Sequence, residues 1–173
     1  MPAVPCVDVY ISGGSNLAPE QNIRLACREL HARFGRLEMS SVYRNPPVGF
    51  EGDDFLNLVF RFQTAQPPLK VVDELEQVHK LAGRLRGTER FGPRSLDLDL
   101  LLYGDAILPD PPIRVPRADI RRYAFVLRPL AELAPNLRHP ETGETMAKLW
   151  AEFDQAKHPL QAVGKLGQQG EWV

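Results

Sequence analysis

The sequence predicts a single domain in which β-strands alternate with α-helices. The segment 55–62 is rich in aromatic and branched residues, and the segment 96–103 has leucine at every second position, so both favour strands. Apolar residues with helical spacing at 19–34 and 67–81 favour two long helices. A chain of 173 residues is long enough to bury a sizeable core as one domain.

Prolines, glycines and changes of hydrophobic pattern set the boundaries of the elements. In chain order, the predicted elements are a strand at 7–11, a helix at 19–34, a strand at 36–42, a strand at 55–62, a helix at 67–81, a strand at 96–103, a helix at 122–134 and a helix at 146–155. We assign residues 1–155 to the domain. Residues 156–173, which are rich in Gly and Gln, are expected to form a loosely packed C-terminal extension.

Two of the predicted strands and one of the predicted helices have a clear core face. In the strand at 55–62 this face consists of Leu56, Leu58, Phe60 and Phe62. In the strand at 96–103 it consists of Leu96, Leu98, Leu100 and Leu102. In the helix at 67–81 it consists of Leu69, Val72, Leu75, Val78 and Leu81.

Composition excludes several classes of protein. The formal net charge is −1, so no overall electrostatic attraction to nucleic acid or to an anionic membrane is expected. The only cysteines, Cys6 and Cys27, form no C-x-x-C; they favour two reduced, buried thiols, although their spacing leaves a disulfide open. The first residues carry neither a basic nor a long apolar region, so we expect no signal peptide, no membrane span and a cytoplasmic location.

Two acidic residues on the strand at 96–103 are the first candidate site. Asp97 and Asp99 share the face opposite the leucines, with Cα atoms about 7 Å apart, so their carboxylates repel unless a cation offsets them. That cation could be Arg94, with further arginines just upstream, or a divalent metal, for which carboxylate oxygens without Cys favour Mg²⁺. Carboxylates beside phosphate-binding arginines suit phosphoryl transfer; the alternative is a solvated edge strand with Asp–Arg pairs.

A second candidate site lies on the strand at 55–62. Phe55 and Asn57 share the face opposite the predicted core, where an amide can pair with the edge of a heterocycle and a ring can stack on its face. A surface-facing polar residue is the alternative interpretation of Asn57. The glycine pair Gly13-Gly14 allows close approach to a ligand, although a plain strand-to-helix loop is the simpler reading. The sequence G-x-x-x-x-G-K-[ST] is absent, which excludes a P-loop kinase.

Three motifs carry a resemblance to a known family. Residues 90–101 read R-F-G-P-R-S-L-D-L-D-L-L, residues 14–17 read G-S-N-L, and residues 43–49 read Y-R-N-P-P-V-G, with Asn45 in the usual Thr place. Together they resemble the motifs of the hydroxymethyl-dihydropterin pyrophosphokinases of the folate pathway, from about Val7 to Met146. The resemblance implies an α+β fold, a single-domain α/β/α sandwich of ferredoxin-like type with a mainly antiparallel central sheet.

The resemblance also implies an activity and a set of site residues. The enzyme would transfer diphosphate from ATP to the hydroxymethyl group of 6-hydroxymethyl-7,8-dihydropterin and release AMP. The implied catalytic residues are Arg84, Arg94, Asp97 and Asp99, of which Asp97 and Asp99 would hold two Mg²⁺ ions. The implied pterin-binding residues are Asn45, Pro46, Val48, Phe55, Asn57, Phe91 and Phe125. The implied ATP-binding residues are Arg84, Arg86, Arg90, Arg94, Leu100, Arg114 and Arg117.

Several positions depart from the family pattern, mostly on the ATP side. His79 stands where an acidic residue is usual, Pro112 where Arg is common, Arg117 where His is usual, and Tyr123 where Arg is common; Arg114 is a candidate to replace the lost charge. These departures leave open a pterin-binding paralogue with weak or absent activity. Asn45 leaves open a pyrophosphokinase for a modified pterin. The expected partners are ATP and a reduced pterin, without nucleic acid or membrane, and the expected state is a monomer.

Overall fold

The computed structural model describes residues 5–83 and 96–173 and has a six-stranded sheet at its centre. The strands are β1 (Val7–Ser15), β2 (Glu38–Met39), β3 (Val42–Asn45), β4 (Phe55–Thr64), β5 (Asp97–Tyr103) and β6 (Gln161–Gly164). Their order is β5-β1-β4-β3-β6, with β2 paired to β4. Every pairing in the described part of the chain is antiparallel, as the resemblance implies.

Five helices accompany this sheet within the described residues. They are α1 (Pro19–Phe34), α2 (Pro68–Leu81), α3 (Asp119–Arg122), α4 (Ala124–Leu133) and α5 (Met146–Ala151). A 3₁₀ turn follows at Gln155–Lys157. The two long predicted helices are confirmed. The predicted helix at 122–134 is divided at Tyr123, whose backbone is extended, and the predicted helix at 146–155 is shorter.

The helices cover both faces of the sheet, which gives the sandwich its two cores. One core joins α1 and α2 to the sheet through residues such as Leu30, Leu75 and Phe60. The other joins α3, α4 and α5 to the opposite face, with Val59 and Leu130 fully buried. Burial on both faces explains why β4 is apolar along most of its length. The fold class is therefore the expected α+β sandwich.

A change of register corrects the prediction for one leucine in β5. Tyr10 faces Leu102 in the pairing with β1, whereas Ile11 faces Leu100, so Leu101 is an extra residue. An extra residue of this kind bends the strand and interrupts the alternation of its faces. Leu102 consequently packs in the core of α3–α5, while Leu96, Leu98 and Leu100 pack in the core of α1 and α2.

The buried face of α2 also differs from the prediction. Leu75 and Val78 are buried as predicted, but Leu69 and Leu81 are 56% and 58% exposed, and Val71 and His79 complete the buried face. The spacings between these buried residues, three, four and eight, also fit one side of a helix. The helix therefore has two overlapping stripes of residues, either of which could face the core. The structure buries the stripe that contains a histidine, which the apolar pattern alone does not select.

The segment predicted as one strand at 36–42 is two short strands, both paired to β4. Ser40 lies between β2 and β3, and its N–H donates to the Val59 carbonyl at 3.0 Å. Its hydroxyl accepts from the Val59 N–H at 2.9 Å. The serine side chain thus replaces a backbone partner at the break. The predicted burial of both thiols is half correct, because Cys27 is buried and Cys6 is exposed; both are free.

The expectation of loose packing after residue 155 is wrong. β6 pairs with β3 at the edge of the sheet, and Leu166 is 5% exposed in the core of α1 and α2. The Gln168 amide accepts from the Leu37 N–H at 2.8 Å and donates to the Leu37 carbonyl at 2.6 Å. The Gln168 side chain thus serves as the hydrogen-bond partner of the Leu37 backbone. Among residues 5–83 and 96–173, no helix combines the length and apolar composition needed to cross a bilayer.

Gln168→Ala tests whether the C-terminal segment is part of the folded unit. The substitution leaves the N–H and C=O of Leu37 without their side-chain partner, so we expect the free energy of unfolding to fall by about 1–3 kcal/mol. Chemical denaturation measures this loss. Gln169→Ala is the matched control, because that residue is exposed and should leave stability unchanged. Equal stability of the two variants would contradict the integral packing of this segment.

Candidate functional site

A cavity of about 270 Å³ opens over the sheet face that α4 covers. Residues from β1, β3, β4 and β5 form its floor, and residues from the turn before α3 and from the start of α4 form its wall. Its lining residues are Ser12, Gly13, Gly14, Asn45, Val48, Phe50, Phe55, Asn57, Asp97, Asp99, Arg117, Asp119, Tyr123, Phe125 and Val126. Polar and charged groups therefore meet aromatic rings in one concave site.

The register of three strands builds the floor of this cavity. Asp97 of β5 faces Gly14 of β1, and Gly14 faces Asn57 of β4, so these three residues form one row across the sheet. Residues directly opposite in a sheet place their side chains on the same face. Because Gly14 contributes no side chain, no side chain stands between Asn57 and Asp97 in this row, which spans two strand spacings, about 10 Å.

Two carboxylates lie at one end of this row. Asp99 faces Ser12 in the same register and points to the same side as Asp97, as the two-residue spacing predicts. Both side chains are partly buried, with 27% of the Asp99 side chain exposed. Both aspartates line the cavity, and the residues opposite them, Ser12 and Gly14, are small.

Arg117 supplies positive charge beside this pair. Its Nη2 lies 3.5 Å from Asp99 Oδ1, and its Nε donates to Asp119 Oδ2 at 3.0 Å. Burial lowers the pKa of the Arg117 guanidinium, but the carboxylates of Asp99, Asp119 and Asp97 outweigh burial and raise that pKa. Arg117 therefore stays charged and offsets repulsion between the carboxylates.

Two amides lie at the other end of the row. Asn57 Nδ2 donates to Asn45 Oδ1 at 2.5 Å, and Asn45 Nδ2 donates to the Pro46 carbonyl at 3.1 Å. Asn57 and Asn45 are 7% and 6% exposed, so these bonds fix their orientation. A Cβ placed on Gly14 would collide with Asn57 Oδ1, which shows that the amide leans over the glycine.

Aromatic rings border the amides. Phe55, the first residue of β4, meets Phe50 edge to face, with ring centroids 6.2 Å apart and planes at 82°. Tyr123 and Phe125, at the start of α4, stack at 4.9 Å and 17°. Rings of this kind offer flat and edge-on contacts to a planar heterocycle.

Glu132 ties α4, and with it Phe125, to the sheet. Its carboxylate accepts from Tyr43 Oη at 2.5 Å and from the N–H and hydroxyl of Ser41 at 3.0 and 2.9 Å. Burial raises the pKa of Glu132, but these donors outweigh it and lower that pKa. Burial and the neighbouring carboxylate raise the pKa of Tyr43 to about 12, so its hydroxyl remains a donor at neutral pH.

Comparison with known proteins decides the family. The protein-family model for 7,8-dihydro-6-hydroxymethylpterin-pyrophosphokinase (HPPK) matches residues 10–135. The chain belongs to the HPPK family. A 2-amino-4-hydroxy-6-hydroxymethyldihydropteridine pyrophosphokinase of Pseudomonas aeruginosa is 39% identical over 137 residues, which cover 77% of this chain and 84% of the relative. The protein of the same name from Haemophilus influenzae is 34% identical over 140 residues, covering 79% and 87%.

Solved structures of HPPK-DHPS proteins have a similar fold. The wild-type protein of Plasmodium falciparum with pteroate matches all of this chain with a TM-score of 0.74 at 12% identity. An HPPK-DHPS in complex with substrates matches 98% of this chain with a TM-score of 0.75 at 9% identity. Each match covers 48% of the solved chain, so this chain spans less than half of those proteins. At such identities the likeness shows the fold alone.

Most of the predicted HPPK site residues that the structure describes meet in the cavity. Those that line it are Asn45, Val48, Phe55, Asn57, Asp97, Asp99, Arg117 and Phe125. Pro46 lies beside it as the acceptor from Asn45, whereas Arg114 is exposed and does not line it. Leu100 packs in the core of α1 and α2. The predicted Arg84, Arg86, Arg90, Phe91 and Arg94 lie outside the described residues.

Several lining residues were not predicted as HPPK site residues. Ser12 and Gly14 had a signal in the glycine-containing turn after the first strand, and Asp119 lies two positions after the predicted Arg117. Tyr123 was noted only as a departure from the family pattern. Phe50 had no signal in the sequence, because its contact with Phe55 depends on the path of the loop between β3 and β4.

The donor set fits Mg²⁺ rather than a metal held by protein alone. Residues 5–83 and 96–173 contain no group of three or more His, Cys, Asp or Glu placed to hold a metal. Asp97 and Asp99 offer two neighbouring carboxylates that open into the cavity. Mg²⁺ is commonly bound by one or two carboxylates together with substrate phosphates and water, so the pair suits an ion that arrives with a nucleotide.

Gly14→Ala tests the link between the row and the amide end of the site. The added methyl group displaces the Asn57 amide, so we expect binding of a dihydropterin to weaken by about tenfold, or about 1.4 kcal/mol. Calorimetric titration with the pterin measures the change. Gly13→Ala is the matched control, because its methyl group would press on Phe60 at 2.9 Å on the opposite face. That control should lower thermal stability and leave pterin affinity unchanged. If Gly13→Ala weakened pterin binding and Gly14→Ala did not, the placement of the pterin beside Asn57 would be contradicted.

Proposed function

We propose that this HPPK family member transfers diphosphate from ATP to the hydroxymethyl group of 6-hydroxymethyl-7,8-dihydropterin and releases AMP in folate biosynthesis. The observation that carries the proposal is the row of Asp97, Gly14 and Asn57 in one cavity. Its amide end suits a heterocycle and its carboxylate end suits Mg²⁺ with phosphates. The relatives named above bear the name of this activity.

At the amide end, Asn57 and Asn45 would read the edge of the pterin. Their mutual hydrogen bond uses one Asn57 N–H and leaves the second for a ligand acceptor. Phe55 and Phe125 would contact the flat ring, together with Phe91. Pro46 and Val48 would border it from the loop after β3. This arrangement would direct the hydroxymethyl group toward the Asp97 end of the row.

At the carboxylate end, Asp97 and Asp99 would hold Mg²⁺, and we propose two ions. When bound, Mg²⁺ neutralises phosphate charge and polarises the reacting oxygens. Arg117, which already lies against Asp99, would contact the phosphates with its forked donors. By the family resemblance we also assign phosphate or nucleotide contacts to Arg84, Arg86, Arg90, Arg94 and Arg114, and a backbone contact to Leu100, since its side chain packs in the core of α1 and α2.

The chain's part in the reaction would be to align and screen. The hydroxymethyl oxygen forms a bond to the β-phosphorus of ATP as the bond from that phosphorus to the bridging oxygen breaks, and the bridging oxygen leaves with AMP. The hydroxymethyl proton is lost to solvent. Arginines would stabilise the charge on the transferring group, and the aromatic wall would keep competing water from the β-phosphorus. We further expect a monomer in the cytoplasm.

A pyrophosphokinase for a modified pterin is a second candidate. The specific observation is that Asn45, in the place where Thr is usual in the family, is the direct partner of Asn57. An amide at this position offers two N–H donors and a carbonyl acceptor where a threonine hydroxyl offers one O–H donor, and this difference favours a different substituent pattern. Parallel assays with hydroxymethyl-dihydropterin and side-chain-modified dihydropterins distinguish the two candidates by the ratio of their kcat/KM values.

An AMP-release assay with Mg-ATP and hydroxymethyl-dihydropterin tests the proposed activity. We expect the wild-type protein to release AMP. We expect Asp97→Asn and Asp99→Asn each to lower kcat by at least about a hundredfold, because the loss of one ligand weakens Mg²⁺ binding. The fold without metal should be retained, because neither aspartate belongs to the two hydrophobic cores. Asp105→Asn is the matched control; this exposed aspartate just after β5 does not line the cavity.

The assay has two outcomes that contradict the proposal. Unchanged turnover in either Asp97→Asn or Asp99→Asn would remove that residue from the metal site. Tight pterin binding without AMP release at saturating Mg-ATP would leave the pterin-binding paralogue as the function.

A further inference from the structure

A buried histidine connects α2 to the strand that carries the carboxylates. His79 lies near the end of α2, and it is 3% exposed. Its Nε2 accepts a hydrogen bond from the backbone N–H of Leu98 at 2.8 Å. Its Nδ1 lies 3.1 Å from Oε1 of Glu76, one helical turn earlier. None of the functional assignments above uses this contact.

The bond to Leu98 is made at an edge of the sheet. Among the strands of the described residues, β5 is the last on its side, with β1 as its neighbour. Leu98 faces Gly13 of β1, yet its N–H is directed to the histidine of α2. A buried backbone donor at a strand edge requires an acceptor, because leaving it unpaired costs about 1–3 kcal/mol. His79 is therefore the group that satisfies this edge.

The position of Leu98 gives the contact its significance. Leu98 stands between Asp97 and Asp99, so its peptide group belongs to the backbone from which both carboxylates project. Its side chain is 2% exposed in the core of α1 and α2, on the face opposite the cavity. The side chain and the N–H are thus both fixed from the α2 side, which restrains the backbone on which the two carboxylates are mounted.

The hydrogen bonds also assign the tautomer of His79. Because Nε2 accepts from Leu98, the ring proton is on Nδ1, where it is directed at the Glu76 carboxylate. Glu76 is 60% exposed, so its contribution is to orient the ring and select the tautomer rather than to pack in the core. A carboxylate, a histidine and a backbone donor form a connected series that ends at the Asp97–Asp99 segment.

We propose that His79 is a positioning residue for the Asp97–Asp99 pair: through the Leu98 N–H it holds the backbone of β5 in the geometry that binds Mg²⁺ with nucleotide phosphates. Glu76 supports this role by holding the proton on Nδ1. The proposal rests on the proposed function of the carboxylates. The proposal also accounts for His79 at a position where the family usually has an acidic residue, because histidine and a carboxylate both offer a hydrogen-bond acceptor.

Two substitutions separate positioning from packing. His79→Phe keeps a ring of similar size in the core but has no acceptor for Leu98. His79→Gln restores an acceptor through its amide oxygen. The readouts are the exchange rate of the Leu98 amide proton by NMR, Mg²⁺ affinity by calorimetry with a non-hydrolysable ATP analogue, and the separate values of kcat and pterin KM.

For His79→Phe we expect faster exchange at Leu98, Mg²⁺ affinity reduced by about tenfold or more, a lower kcat and an unchanged pterin KM. His79→Gln should recover most of each loss. In wild type, ¹⁵N chemical shifts should show a protonated Nδ1 and an unprotonated Nε2. Glu76→Ala should shift the ring toward a mixture of tautomers.

Three results would overturn the positioning role. The first is unchanged Leu98 exchange and Mg²⁺ affinity in His79→Phe. The second is equal losses in His79→Phe and His79→Gln that follow thermal stability, as packing alone predicts. The third is no Mg²⁺ binding by the wild type. Intact Mg²⁺ binding and Leu98 protection without AMP release would instead contradict only the transfer reaction and leave the positioning role supported.

Discussion

The antiparallel register of β5, β1 and β4 is the constraint on which the site depends. It aligns Asp97, Gly14 and Asn57 in one row, and a shift of one residue in either pairing would turn a member of that row into the opposite core. The register is itself fixed by burial on both faces of the sheet. Gly14 is essential to the row because any side chain there would meet the Asn57 amide.

Electrostatics complement this register at the carboxylate end. Asp97 and Asp99 would be unfavourable neighbours on a half-buried strand, but Arg117 lies against Asp99 and is held in place by Asp119. The cation that balances the pair is therefore the same type of group that binds phosphate. On the far side of the strand, His79 holds the Leu98 N–H. The carboxylates are thus supported by opposite charge within the cavity and by a neutral hydrogen bond behind it.

The sequence predicted most elements and the site residues that belong to local motifs, because period, turn chemistry and motif spacing are local properties. The prediction from sequence failed where the structure depends on contact with a segment that is distant in the sequence. The choice between two apolar stripes on α2 depends on β5, and the displacement of Leu102 depends on an extra residue opposite β1. From the sequence alone, Gln168 resembles a residue of a flexible tail. Its role depends on the two hydrogen bonds that its side chain makes with the backbone of Leu37. The contact between Arg117 and Asp99 likewise joins distant segments.

The most direct test of this account is a crystal structure with Mg²⁺, a non-hydrolysable ATP analogue and hydroxymethyl-dihydropterin. We expect a pterin edge on Asn57, Mg²⁺ on Asp97 and Asp99, and the hydroxymethyl oxygen between them, facing the β-phosphorus. Arg117 should contact phosphate. A pterin bound away from Asn57, or Mg²⁺ bound without either aspartate, would contradict the claim that this row of residues unites the two substrates.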